Sequence, residues 1–186
     1  MRAHHCFHDE KERRRWQNPE AILRDIGLSS GFTFIDVGCG DGFFSLPAAR
    51  LVGKNGRVYA LDADDYAIDR LDKKAAIEGL TNLRSKVGEA ERTLLCEGCA
   101  DIVFFGIVLH DFNDPVKVLT NAKRMLKATG RLIDLDWKKE PMELGPPLEI
   151  RFSEEEAVRL IESVGLKIDA VKESGPFHYV IIGKPW

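Results

Sequence analysis

The sequence predicts an α/β domain built on a mostly parallel sheet, and three observations carry that prediction. Short apolar segments rich in β-branched and aromatic residues alternate with longer segments of helical period. Cap signals open the helical segments and glycines close them. The 186 residues suffice for one core, since a domain of this size buries roughly 70% of the surface its unfolded chain exposes.

Taken in order, Asn18-Pro19 combines a helix cap with a first-turn proline, so a helix starts there. Thr33–Val37 reads as the first strand, and residues 43–52 follow it with helical period. Further strands are expected at Arg57–Asp62, Leu83–Val87, 101–107 and 131–136. Several are apolar on both parities, as strands covered on both faces should be. Asp114-Pro115 repeats the cap signal, and Ser153-Glu154-Glu155-Glu156 is a capping box. Gly27, Gly53, Gly79, Gly130 and Gly165 each stand where a left-handed residue would end a helical run. Residues 166–171 and 178–182, separated by Lys172-Glu173-Ser174-Gly175-Pro176, read as a closing antiparallel hairpin and bring the strands to seven. Residues 138–147, with Pro141, Gly145, Pro146 and Pro147, read as an inserted loop.

Composition narrows the function classes. With 44% hydrophobic residues, 31% charged residues and a net charge of −3, the chain has the make-up of a soluble folded protein, and a nucleic-acid partner is not favoured. The longest apolar run, 102–109, is far short of the roughly 20 residues that span a bilayer, and the His4-His5-Cys6-Phe7-His8 opening lacks a signal peptide's apolar stretch. A cytoplasmic location follows as an expectation. In that compartment Cys6, Cys39, Cys96 and Cys99 are expected to be free thiols.

The chemistry is concentrated in Phe34-Ile35-Asp36-Val37-Gly38-Cys39-Gly40-Asp41-Gly42, a strand that ends in an acid and runs into three alternating glycines before a helix. Such a turn lies at the carboxyl edge of the sheet, where ligands bind, and glycines let a ligand approach the main-chain amides. The spacing departs from the G-x-G-x-x-G of dinucleotide binders, because position 43 is Phe. An NAD-dependent oxidoreductase is therefore a rival reading that the glycines disfavour.

This segment resembles motif I of the class I S-adenosylmethionine-dependent methyltransferases. Asp62, twenty residues after Gly42, stands where that family has a ribose-binding acid, and Gly88-Glu89-Ala90 stands where it frames adenine. Residues 100–110 resemble motif IV, 124–132 resemble the helix-turn-strand that follows it, and Arg15-Trp16-Gln17-Asn18-Pro19-Glu20 resembles the opening of the ubiquinone/menaquinone biosynthesis group. The resemblance implies a single Rossmann-like domain over 1–186, with 1–30 as a helical cap. It further implies a seven-stranded sheet of order 3-2-1-4-5-7-6 in a three-layer sandwich, with the seventh strand antiparallel. The implied cofactor is S-adenosylmethionine, leaving as S-adenosylhomocysteine, and the implied partner is a small-molecule acceptor. Carried onto these positions, Asp36, Gly38, Cys39, Gly40, Asp62, Ala63, Glu89, Ala90 and Gly106 form the cofactor site. A module that holds the cofactor without turnover is the other rival.

His110, in Leu109-His110-Asp111-Phe112-Asn113-Asp114, is the candidate catalytic residue. It is read either as a base that takes the acceptor's proton or as a residue that caps the strand. Asp134, Asp136 and Trp137 end the fifth strand on the same edge, where they either shape an acceptor pocket or stand solvated. Phe7 and Trp16 are read as a lid or as sheet packing. Cys96-Glu97-Gly98-Cys99 lacks a second pair, so no metal is assigned. The run Lys11-Glu12-Arg13-Arg14-Arg15 reads as a solvated helix face.

Overall fold

The computed structural model describes residues 10–186, so the expectations placed on His4, His5, Cys6, Phe7 and His8 lie outside the described residues. The strands are β1 (Thr33–Val37), β2 (Arg57–Asp62), β3 (Leu83–Val87), β4 (Ala100–Gly106), β5 (Leu126–Trp137), β6 (Lys167–Ser174) and β7 (His178–Lys184). They form one sheet of order β3-β2-β1-β4-β5-β7-β6. β3, β2, β1, β4 and β5 pair in parallel, and β7 runs antiparallel to both β5 and β6.

The helices are α1 (Glu10–Arg13), α2 (Pro19–Asp25), α3 (Ser45–Val52), α4 (Asp65–Glu78), α5 (Pro115–Met125) and α6 (Glu154–Ser163). Their caps work as their sequences require. Asn18 accepts from Ala21 N, Asp114 accepts from Lys117 N, and Ser153 with Glu156 forms a reciprocal capping box. Gly27, Gly53, Gly79 and Gly165 all adopt positive φ at helix ends. Gly130 differs: α5 stops at Met125 and Gly130 lies within β5. The strand starts earlier than expected because residues between the Leu126 and Arg131 pairings bulge against β4, where Ala100 carbonyl would meet any added Cβ on Gly130 at 2.6 Å.

The alternation of side chains divides the core into two faces. Ile35, Val103, Phe105, Leu132 and Ile181 pack beneath α5 and α6. Phe34, Ile102, Phe104, Ile133 and Val180 pack beneath α2 and α3, with α4 closing the β2 end through Ile68 and Leu71. Five parallel strands thereby point their carboxyl ends at one rim. Among the described residues no helix is long and apolar enough to cross a membrane.

Two further expectations are corrected. Cys96 and Cys99 are joined in a disulfide, because the loop before β4 brings their Cα atoms to 6.1 Å, while Cys39 remains a buried free thiol. The basic run is not a uniformly solvated face either. α1 ends at Arg13, whose guanidinium lies 3.9 Å from the Phe43 ring centroid and donates from Nε to Gln17 Oε1 at 2.7 Å. Burial lowers the Arg13 pKa to about 10, against the pull of Asp36, Asp41 and Glu10.

Candidate functional site

The glycine turn is held from the neighbouring strand. Gly38 N and Cys39 N both donate to Leu61 O at the end of β2, and Gly40 N donates to Asp62 Oδ2 at 2.8 Å. Asp62 Oδ1 accepts from Asp64 N at 2.9 Å, so one buried carboxylate pins both the turn after β1 and the turn after β2. Gly38 has φ 74, and a Cβ there would come within 2.5 Å of Val108 Cγ2, which explains the need for glycine. Gly40, at φ 53, has nothing among the described residues within 4 Å of where a Cβ would stand, so glycine there answers to the backbone angle and not to crowding.

Beside this turn lies a cleft of about 300 Å³. Five of the residues predicted to hold the cofactor line it: Gly38, Asp62, Ala63, Glu89 and Ala90. Asp36, Cys39, Gly40 and Gly106 are not among its lining residues. Asp36 is buried behind the turn, where it accepts from Ser45 Oγ at 2.6 Å and so joins β1 to the start of α3. Burial pushes its carboxyl up to about 7; the Asp62 carboxylate adds to that, while the Ser45 hydroxyl and Arg13 oppose it. Burial likewise raises the Cys39 thiol well above its usual range, with Asp36 and Asp62 adding to the effect. Gly106 packs against aromatic rings, since a Cβ there would meet Phe104 at 2.7 Å and Phe44 at 2.8 Å. Phe112, Asn113 and Lys117 also line the cleft; Phe112 and Asn113 belong to the segment quoted around His110, but none of the three was given a role from the sequence.

At the end of β4 the chain turns through Ile107, a β-branched residue at φ 65, held by its N–H to Leu135 O. A bulky residue rarely adopts that conformation, and such strain concentrates at functional edges. The turn sends residues 109–111 into a short 3₁₀ helix that sets His110 over the end of β5. There His110 Nδ1 lies 2.7 Å and 2.9 Å from the two Asp136 oxygens, and His110 N donates to Asp136 Oδ2 at 3.3 Å. Burial disfavours the charged ring, but the Asp136 carboxylate, its hydrogen bond and nearby Asp111 outweigh that and raise the His110 pKa.

The strand-terminal acids are not solvated, contrary to one of the two readings. Asp134 and Asp136 are 0% and 1% exposed because β7 covers β5 on its outer side. Among the described residues Asp134 has no hydrogen-bond partner for either oxygen, and burial together with Asp136 holds its carboxyl well above the carboxylate range. Trp137 does not line the cleft; its ring packs against Trp16 at 5.6 Å and His178 at 4.2 Å. Trp16 therefore takes the packing role and does not close over the glycine turn. Arg151, a residue the sequence did not flag, is buried within the 138–147 loop and donates to the carbonyls of Lys138, Glu140, Leu144 and Pro146.

Comparison with known proteins bears on this arrangement. A family model described as "Methyltransferase domain" matches residues 28–163. A solved structure titled as a SAM dependent methyltransferase from Aquifex aeolicus is 30% identical, superposes with a TM-score of 0.87, and covers 95% of this chain and 98% of its own. The chain belongs to the S-adenosylmethionine-dependent methyltransferase family. Its cofactor is accordingly S-adenosylmethionine, and the strand order seen here is that family's Rossmann-like sandwich. Curated relatives include a ubiquinone/menaquinone biosynthesis C-methyltransferase from Marinomonas sp., 29% identical over 144 residues that make up 77% of this chain and 56% of that protein. Another is a probable cobalt-precorrin-6B C(15)-methyltransferase from Pyrobaculum aerophilum, 37% identical over 78 residues, or 42% of this chain and 35% of that protein. The chain thus spans about a third to a half of the length of these curated relatives.

Proposed function

We propose that the protein transfers a methyl group from S-adenosylmethionine to a small-molecule acceptor, working as one domain in which residues 10–30 belong to the cap. The observation that carries this reading is the joint lining of one cleft by Gly38, Asp62, Ala63, Glu89 and Ala90, which three separate strand ends deliver. The cleft suits the cofactor chemically. A carboxylate at Asp62 can accept from two vicinal hydroxyls while keeping its main-chain donors, because each oxygen has a second lone pair. Glu89, exposed and paired with Arg92 at 3.2 Å, lines the cleft beside Ala90, which supports a role for both in framing the purine.

When bound, the cofactor supplies an already activated methyl group, so alignment of the acceptor is the main requirement. In this reading His110 takes the acceptor's proton at Nε2. Asp136 holds the Nδ1–H and steadies the ring once it is charged, in the manner of an orienting acid behind a catalytic histidine. A cytoplasmic setting is part of the same proposal and rests on composition. Nucleic acid is not a favoured acceptor, because the net charge of −3 offers little attraction to phosphate.

The test is calorimetric titration with S-adenosylhomocysteine and with NAD, followed by a small-molecule acceptor panel scored for S-adenosylhomocysteine release. Tight NAD binding without S-adenosylhomocysteine binding would sink the reading. Cofactor binding with no release from any acceptor would point to a holding module instead.

A further inference from the structure

The amino ends of β2 and β3 carry another, smaller pocket, of about 170 Å³, which shares no lining residue with the cofactor cleft. The same strands thus serve both ends of the sheet: Leu61 and Asp62 close β2 at the cleft, whereas Arg57 opens β2 at this pocket. Arg84 of β3 is the register partner of Tyr59, so the two side chains stand side by side on one face. Arg57, two residues before Tyr59, shares that face. Tyr59 is half-buried against the core beneath α5 and α6, while Arg57 and Arg84 are exposed and open to a ligand.

The loops around the pocket are locked to each other. Asn82 Nδ2 donates to Ala49 O at 2.8 Å and to Gly53 O at 2.9 Å, and Val58 N donates to Asn82 O at 2.9 Å. Gly56 N closes a turn on Gly53 O at 3.0 Å, which carries Lys54 at its tip beside Thr81 in the lining. Lys54, Arg57 and Arg84 therefore line one pocket from main chain that is fixed before any ligand arrives. Among the described residues none of the three has a carboxylate partner, while Arg50, Lys73, Lys74 and Arg92 each hold one. Three uncompensated cations around a concave polar surface make the local potential positive on a chain whose net charge is −3. Their mutual repulsion is what a bound anion offsets.

We propose that this pocket binds the phosphate group of a small molecule, with the Arg57 and Arg84 guanidinium forks on its oxygens and Lys54 as a third positive charge. Arginine forks match phosphate geometry, and the Thr81 hydroxyl adds a neutral donor to the same lining. The pocket is smaller than the roughly 300 Å³ at which sites for drug-sized ligands begin, so it suits a compact charged group. A nucleic-acid backbone would need a track of cations, and this is a single seat. The site stands on its own geometry and is independent of the methyl-transfer reading.

The full chain is titrated at constant ionic strength with inorganic phosphate and, separately, with glycerol 3-phosphate, followed by the amide signals of Tyr59, Thr81 and Arg84 in NMR. Saturable binding with a dissociation constant below about 3 mM is expected for at least one probe, and the tighter probe tells a free anion from an ester. Arg57→Gln and Arg84→Gln should each weaken that probe at least about fivefold. Lys172→Gln removes the same charge from β6, the opposite edge of the sheet, and should change affinity by less than about twofold. Thermal unfolding shows that the variants are folded, and S-adenosylhomocysteine affinity by calorimetry should stay within about threefold in all of them. No saturation by either probe up to about 3 mM, binding undiminished in both arginine variants, or an equal loss in Lys172→Gln overturns the proposal. So does a ten-residue oligothymidylate that binds at least about tenfold more tightly than either probe.

Discussion

His110 Nδ1 and Asp136 Oδ1 are 2.7 Å apart, and this contact ties the carboxyl end of β4 to that of β5 with side chains 3% and 1% exposed. The pair has no sequence proximity: its members stand 26 positions apart, with all of α5 between them. Its existence depends on adjacent parallel strands ending together at one rim.

A proton titration followed by the histidine ring signals in NMR should therefore separate two buried histidines. His110 should titrate above its ordinary value of about 6.5 and His178 far below it. In Asp136→Asn the His110 transition should move down. A raised folded value means the pair's stabilisation is fully present below about pH 6.5 and is lost as pH rises through the folded value. An unchanged His110 transition in Asp136→Asn would refute the coupling.

Replacement of Asp62 by Ala frees Gly40 N and Asp64 N and removes the proposed ribose acceptor together. Cofactor affinity measured by calorimetry should fall by roughly tenfold or more, since charge-assisted bonds contribute about 1.5–3 kcal/mol each. His110→Ala should change affinity less, while lowering turnover by roughly 10²–10⁴-fold if His110 removes the acceptor's proton. Equal cofactor affinities in wild type and Asp62→Ala would defeat the assignment.

Asp36 supplies a stability measurement. Its folded pKa of about 7 exceeds the unfolded value, so its favourable contribution is complete below about pH 4 and disappears as pH rises to about 7. Asp36→Asn keeps an acceptor for Ser45 Oγ without a charge. Urea unfolding at several pH values should show the variant gaining on wild type across that window, by up to about 3–4 kcal/mol. A pH-independent difference would contradict a buried, raised carboxyl.

Gly38→Ala should disturb the cleft without filling it. The added methyl meets Val108 and sits on a backbone at φ 74, so unfolding free energy should drop by about 1–3 kcal/mol. Cofactor affinity should fall with it. Full affinity in a destabilised Gly38→Ala protein would show that the turn tolerates rearrangement.

Thiol titration offers a direct check on the loop before β4. Unfolded under non-reducing conditions, the protein should react at Cys39 and Cys6 but not at Cys96 or Cys99, and reduction should expose two more thiols. If Cys96 and Cys99 react before reduction, the bridge is absent.

Much of this protein is local in origin, and that part was legible in the chain. Strand alternation, the Asn18, Asp114 and Ser153 caps, and the alternating glycines act over a few residues, so period and spacing located the seven strands and the glycine turn. The resemblance carried Asp62, Glu89 and Ala90 to their cleft because that family repeats one strand order. Tertiary structure alone decided what long-range packing assembles. It buried Asp134 under β7, set Asp136 against His110, drew Arg13 onto Phe43, stacked Trp16 on His178, and closed Cys96 on Cys99. The physical reason is that burial and pairing depend on which elements meet, and residues far apart along a chain carry no periodic trace of their partners.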